Sequence, residues 1–288
     1  MNLADTMADR HASLTRPALV WEGRDGTRRT LGFADLAAAS ARHANLLRRH
    51  GVGPGDRVAC IMPRVPESTV AMLGAFRLGA VHLPIFSGFG EAAVARRAAD
   101  AGAKAVVTHA EVRDRVPERW DAPVAVLTVG GAGAPGDTAC AAAVAAESEA
   151  FDPVPRRRDD PGCCSLPPVS PGRRRRWRSR RTSPPPYGRR SGLAATCGPR
   201  IPSGRRAILG WGYGLVLLWR SPWRSGITAH MWEANPQPSA TLDFLARHRI
   251  TSLATVPTLA ARVDGAGGGG GAAAGPSPSV PLRAVASR

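Results

Sequence analysis

Residues 51–85 read GVGPGDRVACIMPRVPESTVAMLGAFRLGAVHLPI. The glycines and proline of GVGPGD (51–56) predict a turn, and the apolar run RVACIMP (57–63) that follows predicts a buried strand. The next segment, ESTVAMLGAFRLGA (67–80), has helical periodicity, and VHLPI (81–85) is a second short apolar strand. A buried strand, a helix and another buried strand in this order indicate a parallel sheet covered by helices.

The same alternation continues on both sides of this stretch. Residues 31–50 are predicted to form a helix that stops at Gly51. The apolar face of this helix consists of Leu36, Ala39, His43, Leu46 and Leu47. The other predicted elements are a helix at 90–103, strands at 104–109 and 123–129, a helix at 239–249, a strand at 250–257 and a helix that begins at 258–263. The predicted fold class is α/β, with a parallel-rich sheet and covering helices.

The positive charge is concentrated in one part of the chain. The formal net charge is +17 over 288 residues, a value that is typical of nucleic-acid-binding proteins. Between Arg156 and Arg224, however, 17 arginines stand against two aspartates, which gives +15 and leaves +2 for the rest of the chain. The basicity is therefore a property of this segment and not of the whole protein.

The cysteines and the apolar runs exclude several classes of protein. The five cysteines are odd in number and no pair has CxxC spacing, so neither a disulfide framework nor a zinc site is expected. The N-terminus carries Asp5 and Asp9 and lacks the apolar core of a signal peptide. The longest apolar run, near 207–219, is too short to span a bilayer. We therefore expect a cytoplasmic protein without a membrane partner.

Regular patterning is lost in the basic part of the chain. From Arg156 to about Leu209 no helical or strand period is present, and residues 163–181 read CCSLPPVSPGRRRRWRSRR. A segment of this composition is expected to be disordered. After Asp264 the sequence GAGGGGGAAAGPSPS predicts a flexible linker, followed by the start of a strand in VPLRAVASR.

Three long stretches carry a resemblance to a known family. The first comprises RTLGFADL through FSGFG (29–90) with ADAGAKAVVTH (99–109), the second is GWGYGLVLL (210–218), and the third runs from ITAHMWE to TVPT (227–258). In order and spacing, these stretches resemble the acyl-adenylate-forming ligases, a superfamily that includes the acyl-CoA synthetases. The acetyl-CoA synthetase-like group is the most similar.

The resemblance implies a division of the chain into four parts. Residues 1–158 would be the N-terminal part of the AMP-binding domain, and 209–264 its continuation. Residues 159–208 would be an irregular Arg/Pro-rich segment between them, and 265–288 a Gly-rich linker with a truncated end. On this interpretation the fold is part of the large N-terminal domain of an adenylate-forming ligase.

The resemblance also implies an activity and its substrates. Members of the family use ATP and Mg²⁺ to convert a carboxylic acid into an acyl-adenylate, and then transfer the acyl group to CoA. Their phosphate-binding loop, of the type TSGTTGxPKG, should follow a DDP-like sequence and precede GWxYG. Asp159-Asp160-Pro161 and Trp211-Gly212-Tyr213-Gly214 are present, but the Arg-rich stretch stands in place of the loop.

A shift of one base in the reading frame would explain that replacement. Read out of frame, Cys163–Gly172 permits LLFTSAGVTG, and residues 173–177 permit PPKAV, which together are close to the expected loop. The same shift turns WRSPWRS (219–225) into VALPLAV, the apolar run expected there. We therefore hypothesise that about 162–208 and 219–225 are out of frame, through a mutation of the gene or an error in its sequence.

Few side chains can be assigned to a site. Gly88, Phe89 and Gly90 resemble a loop near the CoA channel, although a plain glycine-rich turn explains them equally well. Trp211 and Tyr213 resemble a segment beside the acyl and nucleotide pocket, or they pack in the core. His230 is expected to be a structural residue in a buried strand.

Two arginines complete the set of candidates. Arg113 and Arg115 could approach a CoA phosphate, but we expect them to form a solvated face. In the family, the adenine- and ribose-binding motifs, the Mg²⁺-associated acid and the catalytic lysine would lie beyond the last residue of this chain. No catalytic residue and no metal ligand is therefore assigned.

The expected function follows from these points. The family activity is the ATP-dependent, AMP-forming activation of a small carboxylic acid and its transfer to CoA. This chain is expected to be an inactive, truncated and frame-shifted fragment. The alternative is an Arg-rich nucleic-acid-binding protein on a ligase-derived scaffold, since Arg-rich segments with an aromatic residue bind RNA or DNA. Specific nucleic-acid recognition is not expected.

Overall fold

The computed structural model describes residues 1–157, 160–162, 221–233 and 237–250. It also describes the backbone of five short strands, which lie at 164–165, 177–178, 203–204, 252–255 and 283–286. The helix expected at 258–263, the aromatic pair at 211 and 213 and nearly all of the Arg/Pro-rich segment lie outside the described residues.

The described elements alternate along the chain much as the sequence predicts. The helices are α1 (Leu3–Met7), α2 (Phe33–Arg49), α3 (Pro66–Arg77), α4 (Glu91–Ala101), α5 (Cys140–Ala145), α6 (Ser221–Arg224) and α7 (Pro238–Arg247). The strands are β1 (Pro17–Glu22), β2 (Arg28–Gly32), β3 (Arg57–Ile61), β4 (Val81–Ile85), β5 (Ala103–His109), β6 (Ala125–Val129), β7 (Thr138–Ala139), β8 (Cys164–Ser165), β9 (Trp177–Arg178), β10 (Ser203–Gly204), β11 (Ala229–Trp232), β12 (Ser252–Thr255) and β13 (Arg283–Ala286). Two 3-10 helices lie at Asp9–His11 and Ala110–Arg115.

Five strands form the parallel sheet that the sequence predicts. Their order is β4-β3-β5-β6-β7, and each neighbouring pair is parallel. The fold class is thus confirmed as α/β. Strand β3 lies between β4 and β5, so the chain moves to one side of β3 first and then to the other side.

Helices cover both faces of this sheet. Side chains of β3 alternate between two cores: Val58 and Cys60 pack with α2 and α3, while Ala59 and Ile61 pack with α4. Burial on both faces explains why RVACI is a continuous apolar run rather than an alternating one.

Helix α2 begins two residues later than predicted. Leu31 and Gly32 belong to the end of β2, and the first helical residue is Phe33. The carboxylate of Asp35 accepts a hydrogen bond from the Gly32 amide at 2.8 Å, which fixes the helix start. The predicted stop is confirmed, because Gly51 has φ 76° and a conformation that favours glycine.

A second sheet, not predicted from the sequence, packs beside the first. Its order is β10-β11-β1-β2, with β1 and β2 antiparallel and β11 parallel to β1. Its core includes Leu19, Trp223 and Met231, packed against Phe76 of α3. Within the described part of the chain, none of the helices has the length and apolar character of a bilayer-spanning segment.

Arg77 joins several elements from the end of α3. Its side chain is 5% exposed and forms an ion pair with Asp9 of the first 3-10 helix. It also donates to the Ser40 hydroxyl of α2 at 3.1 Å and to the Phe151 carbonyl at 3.2 Å. One buried guanidinium therefore fixes four separate segments relative to one another.

Glu22 has a comparable role at the end of β1. Its side chain is 5% exposed and accepts from Arg28 at 3.0 Å, from Arg247 at 2.9 Å and from His248 Nε2 at 2.8 Å. Burial alone would raise the pKa of this carboxyl, but the hydrogen bond from His248 and the charge of Arg247 lower it overall. The cluster attaches α7 to the second sheet.

We predict that Gly74→Ala destabilises the protein. A Cβ at Gly74 would lie 2.8 Å from Cδ2 of His43, so helices α2 and α3 would have to move apart. Overpacking of this kind costs about 2 kcal/mol, which exceeds the gain of about 1 kcal/mol in helix propensity. Urea unfolding should show a lower midpoint. The control is Gly53→Ala, whose Cβ would make an ordinary 3.6 Å contact and should leave the midpoint nearly unchanged.

We predict that Glu22→Gln removes a contribution to stability that depends on pH. Because the pKa of Glu22 is lowered on folding, its contribution is present above the unfolded pKa and is lost as the pH falls through the folded pKa. The variant should unfold about 2 kcal/mol more easily at pH 7, and the difference should shrink toward pH 3.

The measurement is the free energy of unfolding of both proteins between pH 3 and pH 7. The matched control is Glu149→Gln, which removes a largely exposed ion pair with Arg42 and should change the stability by less than about 1 kcal/mol. A Glu22→Gln difference that is constant over the whole pH range would contradict the prediction.

Candidate functional site

A glycine-containing turn follows the edge strand β4. The strand ends at Ile85, the amide of Phe89 donates to the Phe86 carbonyl at 3.1 Å, and Gly90 is the N-cap of α4. Gly88 and Gly90 are exposed. A Cβ at Gly88 would overlap the Phe86 ring, so a side chain there would have to displace that ring. Residues 86–90 therefore form the strand-to-helix turn that the sequence allows.

An aromatic pair and an arginine lie at this turn. The rings of Phe86 and Phe89 meet edge to face, with centroids 5.5 Å apart. The guanidinium of Arg97, a buried residue of α4, lies 4.1 Å from the centre of the Phe89 ring. Arg97 also donates to the Ala93 carbonyl at 3.1 Å. These contacts fix the orientation of the half-buried Phe89 ring.

The expectation of a solvated face is wrong for Arg113, whereas Arg115 is half-buried. Arg113 forms a two-pronged ion pair with Asp137, at 2.6 and 3.0 Å, and both side chains are largely buried. Burial would raise the pKa of Asp137, but the hydrogen bonds from Arg113 and Thr128 lower it. Arg115 donates to the Ser87 carbonyl, within the glycine turn. Both arginines thus have structural partners that the sequence does not reveal.

The other candidates fall in different places. His230 lies in β11, buried and beside His248 with ring centroids 5.4 Å apart, as expected for a histidine in a buried strand. Trp211 and Tyr213 lie outside the described residues.

Residues 160–162, which include the second aspartate and the proline of the DDP sequence, lie beside β4. Asp160 accepts from the Arg157 amide at 2.8 Å and lies 3.4 Å from the Arg156 guanidinium. The Gly162 carbonyl accepts from the amide of His82, a buried residue of β4, at 3.1 Å. The chain therefore reaches the edge of the parallel sheet directly before Cys163, where the Arg-rich stretch begins.

The described residues contain no preformed metal centre. Nowhere in the described ranges do three His, Cys, Asp or Glu side chains gather closely enough to hold a metal ion. Cys60 and Cys140 are free and buried, and burial raises the pKa of each thiol to about 12. Neither thiol is a reactive nucleophile at neutral pH.

A cleft between the two sheets was not predicted from the sequence. Its volume is about 560 Å³. It is bounded by β1, α2, α3, α5 and the carboxyl ends of β5 and β6. Its lining residues are Trp21, Arg29, His43, Val65, Glu67, Val70, His109, Val129, Gly130, Cys140, Ala141, Val144 and Glu233. We call it the intersheet cleft. In the sequence, the feature that pointed to this region was a histidine, His43, on the otherwise apolar face of α2.

The glycine turn presents groups that are suited to binding a ligand. The turn offers the half-buried ring of Phe89, the half-buried guanidinium of Arg115 and exposed backbone at two glycines. Such a combination suits an aromatic or phosphorylated ligand.

Similarity to known proteins agrees with the resemblance. The sequence model of the AMP-binding enzyme family matches residues 6–164. The chain is 46% identical over 111 residues to the acetyl-coenzyme A synthetase of Sodalis glossinidius, and 43% identical over 111 residues to the 3-hydroxypropionyl-coenzyme A synthetase of Metallosphaera sedula. Each match covers 38% of this chain and 17% of the relative.

The fold is also similar to a solved structure. The acyl-CoA synthetase of Brucella canis superposes with a TM-score of 0.81 at 30% identity, over 92% of this chain and 49% of that one. The chain thus spans about half of that structure and a smaller share of the curated relatives. Because the family match covers more than half of this chain, the chain belongs to the AMP-binding enzyme family.

Proposed function

We propose that the gene of this chain descends from an acyl-CoA synthetase that activates a small carboxylic acid with ATP, releases pyrophosphate and transfers the acyl group from AMP to CoA. The single observation that carries this proposal is the match of residues 6–164 to the AMP-binding enzyme family. The similarity to an acetyl- and a 3-hydroxypropionyl-coenzyme A synthetase supports a short acyl chain.

Within this activity, the Gly88–Gly90 turn is assigned to the CoA side. The Phe89 ring is held by Arg97, and it can stack on the adenine of the nucleotide. Arg115, which donates to the Ser87 carbonyl, has further N–H groups for a phosphate. The turn would therefore bind and orient CoA, without taking part in bond formation.

ATP and Mg²⁺ have no corresponding site among the described residues. The loop that would hold the ATP phosphates falls after Gly162, outside them, and the described side chains offer no cluster of metal ligands. Backbone amides and hydroxyls of such a loop would bind the phosphates when it is present.

The chain itself is proposed to be inactive, because its phosphate loop is read out of frame. The family match ends at residue 164, at the beginning of CCSLPPVSPGRRRRWRSRR, as expected if the frame changes near 162. For the second segment, 219–225, the structure places Trp223 fully buried with Nε1 donating to the Ala18 carbonyl at 2.8 Å. The shifted frame permits leucine at 223, so this core position is apolar in either frame.

A second candidate function is binding to polyanions. It is favoured by the 17 arginines between Arg156 and Arg224, which give this segment a charge of +15. Binding of this kind would be electrostatic, independent of base sequence and strongly weakened by salt. It would be a property of the chain as translated rather than of the family.

We predict that the 288-residue chain releases no pyrophosphate from ATP in the presence of acetate, propionate or butyrate. Resequencing the gene should show that the shifted frame over 162–208 encodes a TSG…TG-like loop. The product of the frame-restored gene, translated through whatever coding sequence follows codon 288, should convert one of these acids to its CoA thioester, with AMP and pyrophosphate as products.

Three outcomes would count against this account. Pyrophosphate release by the 288-residue chain would overturn its inactivity. A confirmed gene sequence whose shifted frame lacks the loop would overturn the frame hypothesis. Retardation of labelled DNA in a gel at near-physiological salt, together with an inactive frame-restored product, would favour the polyanion-binding function instead.

We predict that the 288-residue chain binds CoA through the glycine turn. Phe89→Ala and Arg115→Gln should each weaken binding about tenfold, since stacking and charged hydrogen bonds contribute about 1.5 kcal/mol each. The matched control is Arg96→Gln, on the exposed side of α4, which should bind like the unmodified chain. Equilibrium dialysis with labelled CoA measures the affinities. Equal affinities for all four proteins would remove the turn from the CoA site.

A further inference from the structure

Residues 221–250 lie against residues 1–85, although the two are distant in the sequence. Strand β11 pairs in parallel with β1 over four residue pairs, which end with Glu22 opposite Trp232. The amide of Glu233 continues this pairing by donating to the Glu22 carbonyl at 3.0 Å. Residues 221–250 thus add a strand to the β1–β2 hairpin, as extended peptides do when they bind to the edge of a sheet.

A tryptophan anchors the beginning of this segment. Trp223 is fully buried, and its indole N–H donates to the Ala18 carbonyl at 2.8 Å. It packs in the same core as Leu19 and Phe76. Buried aromatic side chains whose polar group is satisfied are among those that contribute most to binding at protein interfaces.

The chain after Trp223 passes close to the N-terminal residues. Gly226 has φ 64°, and a Cβ there would lie 2.8 Å from Cδ1 of Leu14. The Thr228 hydroxyl donates to the Pro17 carbonyl at 2.6 Å. The surface is therefore shaped for this particular sequence and not for apolar chain in general.

A charged cluster holds the other end of the segment. Arg247 and His248, at the end of α7, contact the Glu22 carboxylate at 2.9 and 2.8 Å. Arg64 donates to the Glu233 carbonyl at 3.0 Å. The segment is therefore fastened on both sides of β11, by the tryptophan before the strand and by basic residues after it.

We propose that residues 1–85 form a peptide-binding groove that holds residues 221–250 by noncovalent contacts, so that the segment also binds as a separate polypeptide. We call this surface the β1 groove; it consists of β1, the Trp223 pocket at Phe76, and Arg64. Its partner is an extended apolar peptide with a tryptophan before the strand and a helix with basic residues after it. A break within residues 163–220 leaves these contacts in place. Binding in the groove does not depend on acyl activation.

The test is a single cleavage of the 288-residue chain. A recognition sequence for a site-specific protease is inserted between Arg181 and Thr182, and the N-terminus carries an affinity tag. After cleavage, residues 182–288, which include β10, should stay bound to the immobilised residues 1–181. An excess of a synthetic peptide of residues 221–250 should displace them, whereas a scrambled peptide of the same composition should not.

Variants of the cleaved protein test the two anchors through the rate at which residues 182–288 are released. Trp223→Ala should raise this rate at least about thirtyfold, because truncation of a buried anchor acts mainly on dissociation. Trp223→Leu, which keeps an apolar side chain but lacks the N–H, should give an intermediate rate. Arg247→Gln should raise the rate about threefold. The matched control is Ser225→Ala, at an exposed position close to Trp223, which should behave like the unmodified chain.

Three results would overturn the proposal. Release of residues 182–288 on cleavage would show that the covalent connection is required. Retention that the 221–250 peptide cannot displace would place the binding in other residues. Equal release rates for Trp223→Ala and Ser225→Ala would remove the tryptophan as an anchor. Thermal melting before cleavage verifies the fold of each variant, and Arg247→Gln, at the surface, tests the groove should Trp223→Ala not fold.

Discussion

The buried ion pair between Arg77 and Asp9 is the interaction on which the arrangement of the N-terminal half depends. A buried guanidinium needs a counter-charge and hydrogen-bond acceptors for its N–H groups, since an uncompensated buried charge costs several kcal/mol. Ser40 and the Phe151 carbonyl complete its shell. Helix α2, helix α3, the N-terminal helices and the 151–154 segment are therefore held in one relative geometry. That geometry in turn directs the chain to the edge of β4 at Gly162.

The parallel sheet could be predicted because the apolar patterns that specify its strands and helices lie within short stretches of the sequence. In residues 57–85, a continuous apolar run, a helix and a second run can bury both faces of a strand in only a few ways. The hairpin of β1 and β2 also had a local signal, Asp25-Gly26 with φ 82° at the glycine, between two segments that can pair.

The site could be predicted only in part, because most of its contacts join residues far apart in the chain. The glycine turn was visible as a motif, but the ion pair of Arg113 with Asp137 spans 24 residues and the hydrogen bond from Arg115 to Ser87 spans 28. The intersheet cleft requires two sheets to meet, and the second sheet includes a strand from residues 229–232. The periodicity of apolar residues indicates local secondary structure and does not show which distant elements pack together.

The hydrogen bond from the His82 amide to the Gly162 carbonyl has a consequence for how the protein behaves in a crowded solution. Strand β4 is the last in its sheet, and an uncovered edge of this kind offers backbone groups to any other extended chain. Residues 160–162 occupy part of that edge, and β8 lies beside β4 as well. Residues 160–162 thus cover backbone groups of β4 that could otherwise pair with a strand of another molecule. This coverage of the sheet edge does not depend on whether the residues that follow encode a working loop.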